Sequence, residues 1–157
     1  MRMRKYIRRL AIGAFFTGLA LTLSYPIAWH SVEKRNEQLR GSDYTSIEDA
    51  RKDLVEEKAL IGIGDYHKID IEFDDNYPSA YYIPPSLYVI HRDASGEVSL
   101  ESKSTIVLGE FRTRKAIKHE LFHAEKSING NPFGWLRRWY PFNYIEEWQA
   151  TSYALEE

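Results

Sequence analysis

Apolar and polar positions divide the chain into a uniformly apolar start and a patterned remainder. Leu10 to Trp29 passes twenty residues without a charge, about the length an α-helix needs to span a bilayer. Residues 1–9 carry Arg2, Arg4, Lys5, Arg8 and Arg9 and no acid. This pattern predicts a basic cytoplasmic segment at 1–9 and a transmembrane anchor at 10–29, with the rest of the chain extracytoplasmic. A secretory signal peptide shares the charged start, so a secreted form after cleavage is the alternative. Residues 30–43 are polar and mixed in charge and predict a stalk.

Beyond the stalk the periodicity changes repeatedly. Thr45-Ser46-Ile47-Glu48 is a capping-box pattern, and Ile47, Ala50 and Leu54 mark one face of a helix running to about Leu60. Gly62 and Gly64 break it. Lys68 to Asp74 alternates, with Ile69, Ile71 and Phe73 on one face and Asp70, Glu72 and Asp74 on the other, which predicts a half-buried strand. Ser86 to His91 predicts another strand, Ala94–Glu97 a turn, and Val98 to Leu108 further β structure. A helix is expected over Arg112 to Ser127, capped by Thr113 and stopped by Asn129-Gly130-Asn131-Pro132. A last helix is expected over Tyr144 to Leu155. The order predicts an α+β domain over 44–157, a small and mostly antiparallel sheet packed on a helix pair.

Composition narrows the chemistry. The 157 residues have no cysteine, which excludes disulfides, thiolate metal sites and a cysteine nucleophile. The net charge of −2 argues against a nucleic-acid partner, because binding phosphates needs a basic surface. Phe133 to Tyr140 groups aromatics with Arg137 and Arg138, which suits a packed connector with its Arg pair exposed, a cleft wall or a lipid-binding surface.

The chemistry concentrates in His119-Glu120-Leu121-Phe122-His123. Helical positions i and i+4 share a face, so His119 and His123 can aim two imidazoles at one metal ion. Glu120, beside them, is the candidate catalytic base toward a water at that ion. Zinc suits neutral imidazole and needs three protein ligands plus an open position for catalysis. A third ligand is expected from the last helix, where Glu147 and Glu146 are the candidates.

His-Glu-x-x-His followed by Glu147-Trp148-Gln149-Ala150 resembles the gluzincin type of zincin metallopeptidases, over about Ser104 to Leu155. The resemblance implies a minimal zincin-like domain. It implies a zinc-dependent hydrolase acting on peptide or protein substrates, an endopeptidase more than an exopeptidase. It also implies His119, His123 and Glu147 as metal ligands and Glu120 as the catalytic residue. Many gluzincins carry Asp or Asn four residues after the ligand Glu, orienting the first His. Here that position is Thr151, a hydroxyl that can accept from an imidazole N–H. Related enzymes use a Tyr or His on the oxyanion, which nominates Tyr153, or Tyr144, although both also suit packing. The strand around Ile106 to Leu108 is expected to hold substrate backbone. The competing expectation is a catalytically inactive, membrane-tethered domain that zinc merely stabilises. His30, His67 and His91 are expected to be surface or turn histidines rather than ligands.

Overall fold

The computed structural model describes residues 2–85, 88–92, 98–129 and 143–156. The turn expected at Ala94–Glu97, the stop at Gly130–Pro132 and the connector Phe133–Tyr140 lie outside them.

The N-terminal region departs most from expectation. Arg2–Asn36 is one helix, α1, followed by a 3-10 turn over Glu37–Leu39. Among the described residues no helix is long and apolar enough to cross a membrane. This overturns the anchor at 10–29 and, with it, the membrane-anchored zincin-like fold. The single-pass placement with cytoplasmic N-terminus and extracytoplasmic domain falls too, and neither it nor the secreted alternative is carried further. The reason lies in the composition of the uncharged run and in what its end packs on. Gly13, Thr17, Gly18, Thr22, Ser24, Tyr25 and Pro26 interrupt its apolar residues. Its C-terminal part turns to protein partners: Tyr25 meets the Tyr144 ring edge-on at 6.3 Å and accepts from the Asn143 amide at 3.3 Å. The expected stalk is likewise part of the fold, since it carries Val32 and Leu39 into the interior at 2% and 3% exposure.

The segment after α1 is tied down by main-chain bonds. Strand β1 (Gly41–Ser42) pairs in parallel with β6 (Phe111–Arg112), and the N–H groups of Asp43 and Tyr44 both donate to the Arg112 carbonyl. Helix α2 (Ile47–Leu60) starts one residue later than the capping-box pattern suggested. Ser46 is its N-cap, accepting from the Asp49 N–H, so the working pair is Ser46 and Asp49. The helix ends where Gly62 takes φ +81°, a left-handed conformation that glycine adopts without a Cβ clash.

The main sheet contains β2 (His67–Phe73), β3 (Ala80–Ile83), β4 (Tyr88–Arg92) and β5 (Val98–Leu108). It is mixed rather than mostly antiparallel. The long β5 inserts between β2, which it pairs in parallel, and β3 and β4, both of which it pairs antiparallel. Because β5 has partners on both sides, its Ile106–Leu108 main chain is committed to the sheet and cannot hold a substrate backbone as expected. Of its edges, β3 is the one beside the helix that carries His119 and His123.

Register explains the core. Ile71 lies opposite Ile106 and Ile106 opposite Tyr82, while Phe73, Leu108 and Ala80 form the next row. These two rows make the face that meets α3 (Arg114–Ile128), where Ile71, Ile106, Leu108, Ile117 and Leu121 are all fully buried. Burying each such side chain stabilises the fold by about 1.5–3 kcal/mol. Gly109 follows β5 where the chain passes the 77–79 loop. A Cβ there would lie 2.1 Å from the Tyr77 carbonyl oxygen, so glycine lets that loop close on the strand end.

Two devices seat α3. The Thr113 hydroxyl caps it, accepting from the Ala116 N–H at 3.1 Å and donating to the Leu39 carbonyl at 2.8 Å. Arg114 places a cation at the helix N-terminus, an unfavourable position for positive charge. It is offset by Glu57 at 2.6 Å, Glu56 at 3.0 Å and Asp53 at 3.8 Å, all on α2. The last helix, α4 (Asn143–Leu155), lies against α3 on one side and the end of α1 on the other.

Candidate metal centre

The amphipathic pattern of α3 sends Ile117, Leu121 and Ala124 into the core and leaves His119, Glu120 and His123 at the border facing α4. Helix α4 presents Glu146 and Glu147 to that border. The two imidazole Nε2 atoms lie 3.2 Å apart. Glu147 Oε2 is 3.3 Å from His119 Nε2, and Glu147 Oε1 is 3.3 Å from His123 Nε2.

This triangle fits a metal. Ligand atoms about 2.0–2.1 Å from a tetrahedral zinc stand about 3.3–3.4 Å from one another, close to the Nε2–Nε2 separation and to the contact that each Glu147 oxygen makes with one imidazole. The donor chemistry fits as well. Two imidazole nitrogens and a carboxylate crowd together, with Glu146 and Glu120 adding further negative charge. Such a group favours positive charge at its centre. Burial works against a charged His123, yet its hydrogen bonds to Glu146 and Glu147 outweigh that and push it up to about 10. Burial also raises Glu147, but its contacts with His119 and His123 hold it well below the usual carboxylate range.

Both imidazoles are oriented from behind. His123 Nδ1–H donates to Glu146 Oε1 at 3.1 Å. His119 Nδ1 lies 3.3 Å from the hydroxyl of Thr151, which is fully buried. With a metal ion in place of the Nε2 protons, a proton on each Nδ1 would leave each Nε2 lone pair aimed at that ion. The two adjacent glutamates thus have different places, Glu147 among the converging donors and Glu146 behind His123.

A cavity of about 350 Å³ opens onto this group. His119, His123, Glu120 and Glu147 line it from the helices, Ser79 to Tyr82 from the β3 edge, and Asn36 and Leu39 from the end of α1 and the 3-10 turn after it. Glu120 is 5% exposed and accepts from the backbone N–H of Tyr82. Burial raises its pKa, which nearby His119 and His123 partly oppose.

Other candidates lie elsewhere. Tyr153 is not among the residues lining the cavity; it packs against Phe122 at 5.9 Å with the Lys118 ammonium over its ring. Tyr144 instead meets Tyr25. His67 is buried at the start of β2 against Tyr66, and His30 is exposed on α1. The sequence reading missed Asn36, Tyr81 and Tyr82. The Tyr81-Tyr82 pair carried a weak signal, two aromatics before the Ile83-Pro84-Pro85 edge, and Asn36 carried none.

No family model, curated protein or solved structure matches the chain.

Proposed function

We propose that the chain is a zinc-dependent peptidase, and the observation that carries this reading is the triangle of His119, His123 and Glu147 beside a buried carboxylate in one cavity. A zinc ion held there would supply Lewis acidity, polarising a scissile carbonyl and acidifying a water.

The chain's own residues do the rest. Glu120 lines the cavity with both imidazoles and is the proton acceptor from the attacking water. The same carboxyl then delivers that proton to the leaving amine nitrogen. The Tyr82 N–H fixes the orientation of Glu120, and because it comes from β3 it ties the base to that edge. The main chain of β3 along the cavity rim suits an extended peptide, which would add to the sheet by backbone hydrogen bonds. The family resemblance of the His-Glu-x-x-His stretch and the downstream glutamate supports the same reading.

The test is Glu120→Gln in the full chain, scored for zinc content and for hydrolysis of a mixed peptide library. The expected result is one zinc per chain in both forms and hydrolysis only in the wild type. Equal hydrolysis by the two forms overturns the catalytic assignment. A wild type that holds zinc and cleaves nothing favours the stabilised binding domain.

A further inference from the structure

The Thr151 hydroxyl has partners both on its own helix and beyond it. A threonine hydroxyl has one proton, and this one has two acceptors in reach: the Glu147 carbonyl at 2.9 Å and the side-chain oxygen of Asn36. Its lone pairs face His119 Nδ1 at 3.3 Å. A hydroxyl accepts best from an imidazole N–H when its own proton is already donated elsewhere. Asn36 provides such an acceptor beside the Glu147 carbonyl, from the last residue of α1, 115 positions away in sequence.

The contact is part of a larger grip. Arg35, next to Asn36, donates from Nη2 to the Ser152 hydroxyl at 3.0 Å, and its guanidinium lies 4.8 Å over the Trp148 ring. Val32, one turn earlier, is 2% exposed. The end of α1 therefore holds Trp148, Thr151 and Ser152, the turn of α4 that immediately follows Glu147. Sliding or rotating α4 would move Glu147 away from the imidazoles and Thr151 away from His119 together.

We propose that Asn36 is a positioning residue of the metal centre, acting through the Thr151 hydroxyl to fix His119 as the Nδ1–H tautomer, so that docking of α1 on α4 sets metal affinity. The proposal rests on the metal-site reading above. It gives the N-terminal helix a part in the site that its apolar sequence does not suggest.

The experiment uses the full chain with Asn36→Ala, Asn36→Asp and Thr151→Val, alone and combined. Zinc affinity is measured by competition with a chromophoric chelator, and site geometry by the visible spectrum of the cobalt(II)-loaded protein. Asn36→Ala is expected to weaken zinc binding about tenfold to a hundredfold, the range for partners that orient metal-bound histidines. Asn36→Asp, which keeps an acceptor, is expected to restore wild-type affinity and spectrum. With Thr151→Val in place, the difference between Asn36→Ala and Asn36→Asp is expected to vanish, because the hydroxyl through which Asn36 acts is gone. Unchanged affinity and spectrum in Asn36→Ala overturns the proposal. So does equal loss in Asn36→Ala and Asn36→Asp, which marks a packing role. If the wild type binds no zinc, the metal reading fails separately. The metal-free protein then decides this proposal through the imidazole ¹H–¹⁵N spectrum. A protected His119 Nδ1–H signal lost in Asn36→Ala and kept in Asn36→Asp supports it, and a signal indifferent to both overturns it.

Discussion

Glu146 and Glu147 are neighbours of the same type, so exchanging their roles is the sharpest available test of the site. Glu147 touches both Nε2 atoms at 3.3 Å, whereas Glu146 touches His123 Nδ1 at 3.1 Å. Removing a carboxylate that orients a ligating histidine lowers metal affinity by about 10–100-fold. At about 1.4 kcal/mol per tenfold, that is about 1.4–2.8 kcal/mol of binding free energy for Glu146→Gln. Glu147→Ala removes one of three donors outright and is expected to exceed that hundredfold ceiling. The assay is a chelator competition titration of each full-length variant at fixed pH. A thermal melt of the metal-free forms confirms that both are folded. A second reading comes from the melts with zinc present, since a ligand at a hundred times its Kd stabilises a protein by about 2.7 kcal/mol. The zinc-induced rise should survive at reduced size in Glu146→Gln and disappear in Glu147→Ala at the same zinc concentration. Wild-type affinity in Glu147→Ala, or a larger loss in Glu146→Gln, refutes the assignment and makes Glu146 the ligand.

Two stability predictions concern the frame around the site. Thr113→Ala removes the α3 cap and leaves the Leu39 carbonyl without its buried donor, at an expected cost of about 1–3 kcal/mol; urea unfolding measures it, and Thr113→Ser should recover most of the loss. Asp70 titrates below the usual carboxylate range, because the Ile71 N–H and the Arg51 guanidinium outweigh the opposing effect of burial. A depressed folded pKa gives stability that is present above the unfolded value of about 3.9 and is lost as pH falls through the folded one. Asp70→Asn should therefore narrow the Tm difference between pH 6 and pH 3, more at low salt than at high; an unchanged difference contradicts the linkage.

Local pattern carried the elements that local physics decides. The alternation at Ile69, Ile71 and Phe73 marked β2 because period-2 burial is written directly into the sequence. Thr113 marked the start of α3, and the i, i+4 spacing of His119 and His123 placed both imidazoles on one face. What the pattern could not carry was pairing over distance. The insertion of β5 between β2 and β3 depends on contacts made after the chain turns back, so the parallel pair and the β3 edge were invisible. The uncharged run at Leu10 to Trp29 misled for a related reason. Its length resembles a bilayer span, but partners of Tyr25 and of Asn36 just beyond the run come from α4, more than a hundred residues downstream.

The two histidines belong to a single turn of α3, while Glu147 and Asn36 arrive from opposite ends of the chain. An isolated α3 already offers a two-nitrogen site, but a complete set of donors exists only once α4 is packed between α3 and α1. A bound metal would then act as a removable cross-link, closing the loop from His123 to Glu147 and restricting the open forms of the chain. Its withdrawal would release α4 and the end of α1 before the sheet. Protease susceptibility with and without chelator should thus appear first at these helices, in the part of the molecule that a bound metal would hold shut.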